Sequence, residues 1–140
     1  MHELALAEAV LSAARETAER EGFKRVTKLV VSLGELQQIS IPSFEFCLKE
    51  VRPSAGPLVT EAEIVLQTEP AELSCRPCAR TFSLADARAP EGDNAEAVHF
   101  IPELVHAFVS CPSCGSVDFA VLRGRGVSIS SIEGEDDSDA

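Results

Sequence analysis

Cys75-Arg76-Pro77-Cys78 and Cys111-Pro112-Ser113-Cys114 are the stretches that decide the fold of this 140-residue chain. Each has the Cys-x-x-Cys spacing that lets two thiolates occupy adjacent corners of a tetrahedron about 2.3 Å from a zinc ion. Two such pairs supply four sulfur ligands, and no corner is then left for water or substrate. The sequence therefore predicts a closed, structural zinc site and no catalytic metal on these cysteines.

The two pairs bracket a small module, predicted at residues 74–114. So short a module buries too little apolar surface to fold without help, and structural zinc supplies about 10 to 16 kcal/mol of apparent binding energy. The alternative, a redox dithiol, is disfavoured because no lone Cys-x-x-Cys lies in a thioredoxin-like setting. The 32 residues between the pairs exceed the usual spacing of about 15 to 20 and contain His99 and His106. Both histidines are candidate ligands, and a packing or surface role is the alternative for each.

Outward from the module, hydrophobic periodicity predicts an α+β domain. An amphipathic helix is expected over 2–20 with its end at Gly22, and a second helix is expected from Pro42 to before Pro53. Strands are expected at 24–33 and 62–67, and again at 118–122 and 126–132 after the module. The cysteine module is then an insertion (74–114) in a discontinuous helix-and-sheet domain (1–73 plus 115–134).

Two further features are interpreted as structural. Cys47 falls on the apolar stripe of the second predicted helix, where a buried cysteine behaves as a small hydrophobic residue. The run from Arg123 to Gly126 has the composition of a bend between strands, which we favour over a phosphate or RNA site.

Composition restricts the classes of partner. The net charge is −11, and five acids and no base lie in residues 133–140, of which 135–140 are expected to form a disordered tail. An acidic surface without Trp or Tyr makes nucleic acid an unsuitable partner. Neither a signal peptide nor a membrane-spanning run is recognisable, and five cysteines without an export signal indicate a reducing cytoplasm.

The first three residues, Met1-His2-Glu3, offer a second metal site. The α-amine, the His2 backbone amide and the His2 imidazole lie within chelating reach of one ion. Such a chelate requires loss of the amide proton, and its in-plane nitrogen donors favour Ni(II) or Cu(II). The fourth position is left for His99, Glu3 or water. The alternative is a surface histidine at the start of a helix.

In their order and spacing, these features resemble the HypA family of nickel metallochaperones for [NiFe]-hydrogenase maturation. The resemblance rests on Met1-His2-Glu3 before an amphipathic helix, on Val31-Ser32-Leu33-Gly34-Glu35-Leu36, and on the cysteine pairs with Cys111-Pro112-x-Cys114-Gly115. It covers nearly the whole chain except the acidic tail. The segment from His99 to Phe108 and the run Arg123-Gly-Arg125-Gly126-Val127 are similar to archaeal-type members, whose zinc module is longer.

The resemblance implies two helices packed on a three-stranded sheet as a nickel-binding domain, with an inserted zinc-ribbon-like module. It implies that Ni(II) is bound by Met1, His2, Glu3 and His99, and that zinc is bound by Cys75, Cys78, Cys111 and Cys114. It further implies delivery of Ni(II), with a HypB-type nucleotidase, to a hydrogenase large-subunit precursor. Family members differ in oligomeric state, and a homodimer is one expected state.

Two other function classes are the alternatives. A zinc-ribbon interaction or regulatory module would bind zinc and carry no cargo metal. A metal-dependent hydrolase would need an open metal position with a general base beside it, and four cysteine ligands leave no such position. The chain is therefore expected to be a carrier and not an enzyme.

Overall fold

The computed structural model describes residues 3–87 and 105–136, and it confirms the predicted α+β class. Its helices are α1 Glu3–Glu21, α2 Ile41–Val51 and α3 Val105–Phe108, with short 3₁₀ turns at Glu35–Gln37 and Arg52–Ser54. Its strands are β1 Phe23–Gly34, β2 Glu63–Glu69, β3 Glu72–Cys75, β4 Thr81–Ser83, β5 Phe119–Arg123 and β6 Val127–Asp136. No helix in these ranges is long and apolar enough to cross a membrane.

Both long helices end where the sequence predicts, within about two residues. The buried positions of α1 recur at three- and four-residue spacing: Ala7, Val10, Leu11, Ala14 and Ala18. Gly22, with φ of 74°, follows its last turn and donates its N–H to Glu19. At the start of α2, the Ser40 hydroxyl accepts the Ser43 N–H, and Pro42 lies in the first turn.

The two long helices, α1 and α2, belong to a unit with a three-stranded sheet in the order β2-β1-β6, which confirms the predicted architecture. Leu29, Val31 and Leu33 alternate along β1 and are buried, as are Val26 and Ser32 of the same strand. Strand β6 runs to Asp136, and the Arg25 guanidinium donates two hydrogen bonds of 2.9 Å to the Glu135 carboxylate. A disordered tail beginning at 135 is therefore wrong for its first two residues, because this edge strand and its ion pair hold them. Residues 137–140 lie outside the described ranges.

A second antiparallel sheet, in the order β4-β3-β5, contains the first cysteine of the site. Strand β5 pairs with β3, so the predicted return of residues 118–122 to the helical domain is wrong. The physical reason is burial: Phe119 of β5 is fully buried and packs edge-to-face on Phe82 of β4, with ring centroids 5.8 Å apart.

The described residues divide into two compact units. One contains 3–32, 40–67 and 127–136, and the other contains 33–39, 68–87 and 105–126. The second unit is larger than the predicted 74–114 module, since it includes β5 and a loop from between β1 and α2. The division of function into a cargo domain and a zinc module stays a prediction.

Candidate metal centre

Four cysteine sulfurs converge in the second unit. The Sγ atoms of Cys75, Cys78, Cys111 and Cys114 all lie within 4.8 Å of one another. Cys75 and Cys114 are 3.5 Å apart, and Cys78 and Cys111 are 3.6 Å apart. A disulfide would require about 2.05 Å, whereas two corners of a tetrahedral zinc–sulfur site are separated by about 3.8 Å. The spacing therefore fits four ligands of one tetrahedral ion and excludes disulfides.

The two Cys-x-x-Cys segments fold into the same backbone turn. In each, the first cysteine donates its N–H to the carbonyl five residues later and accepts the N–H from four residues later. The bonds are Cys75 to Arg80 (2.8 Å), Ala79 to Cys75 (2.9 Å), Cys111 to Ser116 (2.9 Å) and Gly115 to Cys111 (2.9 Å). The backbone thus holds both cysteines of each pair on one side of the turn before any ligand is added.

The fifth position of each turn lies in the left-handed region, with φ of 63° at Ala79 and 74° at Gly115. In this region the backbone conformation of a residue with a Cβ is strained by about 1 to 2 kcal/mol, whereas that of glycine is not. We expect Ala79→Gly to raise the free energy of unfolding by up to about 1 kcal/mol, because greater freedom of the unfolded chain offsets part of the relief. Chemical denaturation of the metal-loaded protein measures this. Gly115→Ala is the matched reverse, and stabilisation by both substitutions would contradict the account.

The site rests on a buried cluster that contains two of its cysteines. Cys75 and Cys111 are buried, whereas Cys78 and Cys114 are exposed. The cluster also contains Leu36, Ala71, Leu73, Phe82, Leu84, Val105, Val109 and Phe119. One half of the site is therefore anchored in the protein, and the other half faces the surface.

Side chains beyond the cysteines connect the two turns. Arg76 donates to the Asp118 carboxylate at 2.6 Å, and Arg80 donates to the Ser113 hydroxyl at 2.6 Å. Sequence reasoning missed both arginines, because no local pattern predicts a hydrogen bond across more than thirty residues. His106 stacks on Phe119 with ring centroids 4.4 Å apart, which is the packing role that sequence analysis offered as its alternative.

The surroundings shift the pKa values of two of the thiols in opposite directions. The pKa of Cys75 is raised to about 12: a backbone hydrogen bond from Cys78 lowers it, but burial and the other three thiols raise it more. The pKa of Cys111 is lowered to about 6, first by the backbone amide of Cys114 and against the opposing effect of burial. Four thiolates this close together repel one another, which disfavours ionising all of them. A divalent cation offsets the repulsion, and it binds the sulfurs as thiolates.

Among the described residues, these four cysteines are the one group of His, Cys, Asp or Glu side chains spaced to hold a metal. Of the predicted nickel ligands, Glu3 begins α1, and Met1, His2 and His99 lie outside the described ranges. Burial raises the pKa of the Cys47 thiol, and so do the nearby carboxylates of Glu3 and Glu50. The carboxylates of Glu3 and Glu50 therefore both lie near this thiol.

The family model for nickel incorporation into hydrogenase and urease, the HypA metallochaperone model, matches residues 1–134. The chain belongs to the HypA family. It is 41% identical over 140 residues to a hydrogenase maturation factor HypA of Thermococcus sibiricus, covering 99% of this chain and 100% of that one. It is 42% identical over 141 residues to the HypA of Pyrococcus furiosus, covering 97% and 100%.

Solved structures agree on the fold. The solution structure of the nickel metallochaperone HypA from Helicobacter pylori matches with a TM-score of 0.66 and 18% identity, covering 98% of this chain and 100% of that one. A second HypA solution structure matches with a TM-score of 0.61 and 19% identity, covering 96% of each chain. At such identity the likeness establishes the HypA fold alone.

Proposed function

We propose that this HypA-family chain binds Ni(II) at its N-terminus and delivers it, with a HypB-type nucleotidase, to a hydrogenase large-subunit precursor in the cytoplasm. The observation that carries the proposal is the family match, which begins at residue 1 and runs to 134. It includes Met1-His2-Glu3, the stretch that offers three nitrogen donors to one ion. The proposed role is carriage of a metal to its client and not catalysis.

The acidic surroundings of the first helix support a cation site. Glu3 is half-buried at the start of α1, close enough to Cys47 for its charge to raise that thiol's pKa. A groove of about 440 Å³ between α1 and α2 is lined by two carboxylates, Glu8 and Glu50, and by one cation, Arg15. Negative charge at the start of α1 attracts a cation such as Ni(II) to the neighbouring N-terminal donors. In the proposed site, the fourth position is filled by His99, Glu3 or water.

We assign the four-cysteine site to structural zinc. All-thiolate ligation at tetrahedral spacing suits zinc, and four protein ligands leave no coordination position for a substrate. When bound, zinc would cross-link the two turns and supply folding free energy to a unit with a small core. The two backbone turns position the sulfur atoms, and hydrogen bonds from the Arg76 and Arg80 side chains connect the two turns.

The pH dependence of nickel affinity tests the histidine ligation. A free imidazole takes up a proton near pH 6.5, and the proton competes with the metal for the same nitrogen. We therefore expect Ni(II) affinity to be greatest above this pH and to fall as pH drops from 7.5 to 5.5. Calorimetric titration at several pH values gives the affinity. A constant affinity over that range would exclude histidine as a ligand, whereas zinc binding without measurable nickel binding would favour the interaction-module alternative.

A further inference from the structure

The loop of residues 33–39 lies in the same compact unit as the four cysteines, although the chain enters it from β1 and leaves it for α2. It contains the 3₁₀ turn Glu35–Gln37 and ends beyond Gln38, whose φ is 53°. None of its residues is a ligand in the zinc assignment or in the nickel proposal. It nevertheless contains four of the six residues of the Val31–Leu36 stretch on which the family resemblance partly rests.

Four hydrogen bonds hold this loop against two other segments of the unit. The N–H groups of Gly34 and Leu36 donate to the carbonyls of Gly126 (2.8 Å) and Gly124 (2.9 Å). In return, the Glu35 carboxylate accepts the Ala71 N–H at 2.8 Å, and the Gln37 side chain accepts the Gly126 N–H at 3.0 Å. The bend from Arg123 to Gly126, interpreted from sequence as a simple turn, is thus the receptor for the loop.

The backbones meet too closely for side chains. A Cβ on Gly34 would overlap the Gly124 carbonyl, and a Cβ on Gly124 would overlap Ala71. Gly124 also has φ of 93°, and its N–H donates to the Glu69 carboxylate at 2.8 Å. Three backbone segments are therefore stacked in direct contact, which only glycine at 34 and 124 permits.

Leu36 connects this loop to the metal ligands. Its side chain is fully buried, and it belongs to the same cluster as Cys75 and Cys111. Strand β3 leads from Glu72 to Cys75, so the segment that receives the loop at Ala71 runs directly into the first ligand. Strand β5 ends at Arg123, beside the Gly124 carbonyl that accepts the Leu36 N–H.

We propose that the 33–39 loop is a metal-dependent latch: it docks on residues 69–73 and 123–126 when the four-cysteine site holds its ion and is released when the ion is lost. This rests on the zinc assignment proposed above. Zinc fixes Cys75 and Cys111, which fixes β3, β5 and the cluster that receives Leu36. Because the loop joins β1 to α2, metal occupancy at the cysteines then determines how firmly the ends of those two elements are held. Glu35 and Leu36 are positioning residues in this device.

Hydrogen exchange of the full chain tests the latch. Zinc-loaded and chelator-treated protein are compared, with zinc content measured by mass spectrometry. We expect amides in 33–39 to exchange at least about tenfold faster after zinc removal, while those of α1 keep their rates. Unchanged exchange in 33–39, or equal acceleration in α1, would overturn the proposal. Metal content separates the two failures: a chain without bound zinc overturns the zinc assignment, and bound zinc with no effect on the loop overturns the latch alone.

A matched set of variants tests the docking while zinc stays bound. Glu35→Ala removes the acceptor of a buried N–H, so we expect at least about tenfold faster exchange in 33–39. Glu35→Gln keeps an oxygen acceptor and should restore the slow exchange. Glu45→Ala, which removes an exposed carboxylate of α2 outside the segments on which the loop docks, is the control and should leave exchange in 33–39 unchanged. Slow exchange in zinc-loaded Glu35→Ala would contradict the proposal.

Discussion

Replacing Cys111 with serine is expected to reduce bound zinc from one per chain to near zero and to unfold the second unit, which contains residues 33–39, 68–87 and 105–126. A hydroxyl is a poor substitute for a buried thiolate, and the unit depends on about 10 to 16 kcal/mol of apparent zinc-binding energy. Cys111 also belongs to the buried cluster under the site, so the substitution places an unligated polar group there. Metal analysis and hydrogen exchange of β3 and β5 measure the two effects.

Cys47→Ser is the matched control, because it makes the same chemical change at a cysteine outside the cluster. Cys47 is half-buried on α2 and is not one of the four converging thiols. We expect this variant to hold one zinc ion and to keep the exchange pattern of β3 and β5. If Cys111→Ser also held one zinc with protected strands, the four-cysteine site would not be what stabilises this unit.

Replacing His2 with alanine is expected to abolish Ni(II) binding and leave zinc content unchanged. The imidazole is a direct ligand in the proposed chelate, so its removal should cost more than the roughly 10- to 100-fold loss typical of an outer-shell partner. Calorimetric titration with Ni(II) measures the loss of nickel affinity. The zinc ligands are four cysteines remote in sequence from residue 2, and they should keep their ion.

His106→Ala is the control for that variant. His106 stacks on Phe119 in the described structure, and it is not among the proposed nickel ligands. We expect it to lower the stability of its unit slightly and to leave nickel affinity as in the unsubstituted chain. Equal losses of nickel affinity in the two variants would locate the ligand elsewhere or show that the loss is a general effect of destabilisation.

Local pattern was enough to predict the two long helices, the first sheet and the convergence of four cysteines. The periodicity of α1 and the proline at the start of α2 (Pro42) are short-range signals, and Cys-x-x-Cys spacing follows from ligand geometry. The partner of β5 was mispredicted because strand character does not say which sheet a strand joins. The sheet that β5 joins is decided by Phe119, which is buried in the same cluster as Cys75 and Cys111. Cys75 is more than forty residues away in sequence, so no local pattern reveals this packing.

The docking of the 33–39 loop was also beyond local reasoning. In the sequence, Gly34 and Gly124 each look like turn residues. Only the structure shows that their backbones pack directly against each other. The start of the tail was misplaced for a similar reason. An acidic run predicts solvation, but Glu135 has Arg25 as its partner, 110 residues away in sequence.

The central claim is that the N-terminus carries nickel as cargo while the cysteines hold zinc. The most direct test is metal analysis and Ni(II) titration of tag-free protein beginning at Met1, beside the same chain with one residue added before Met1. The account predicts one zinc and one nickel per chain for the first, and one zinc with no nickel for the second, because the added residue removes the free α-amine from the chelate. Equal nickel affinity in the two proteins would contradict it.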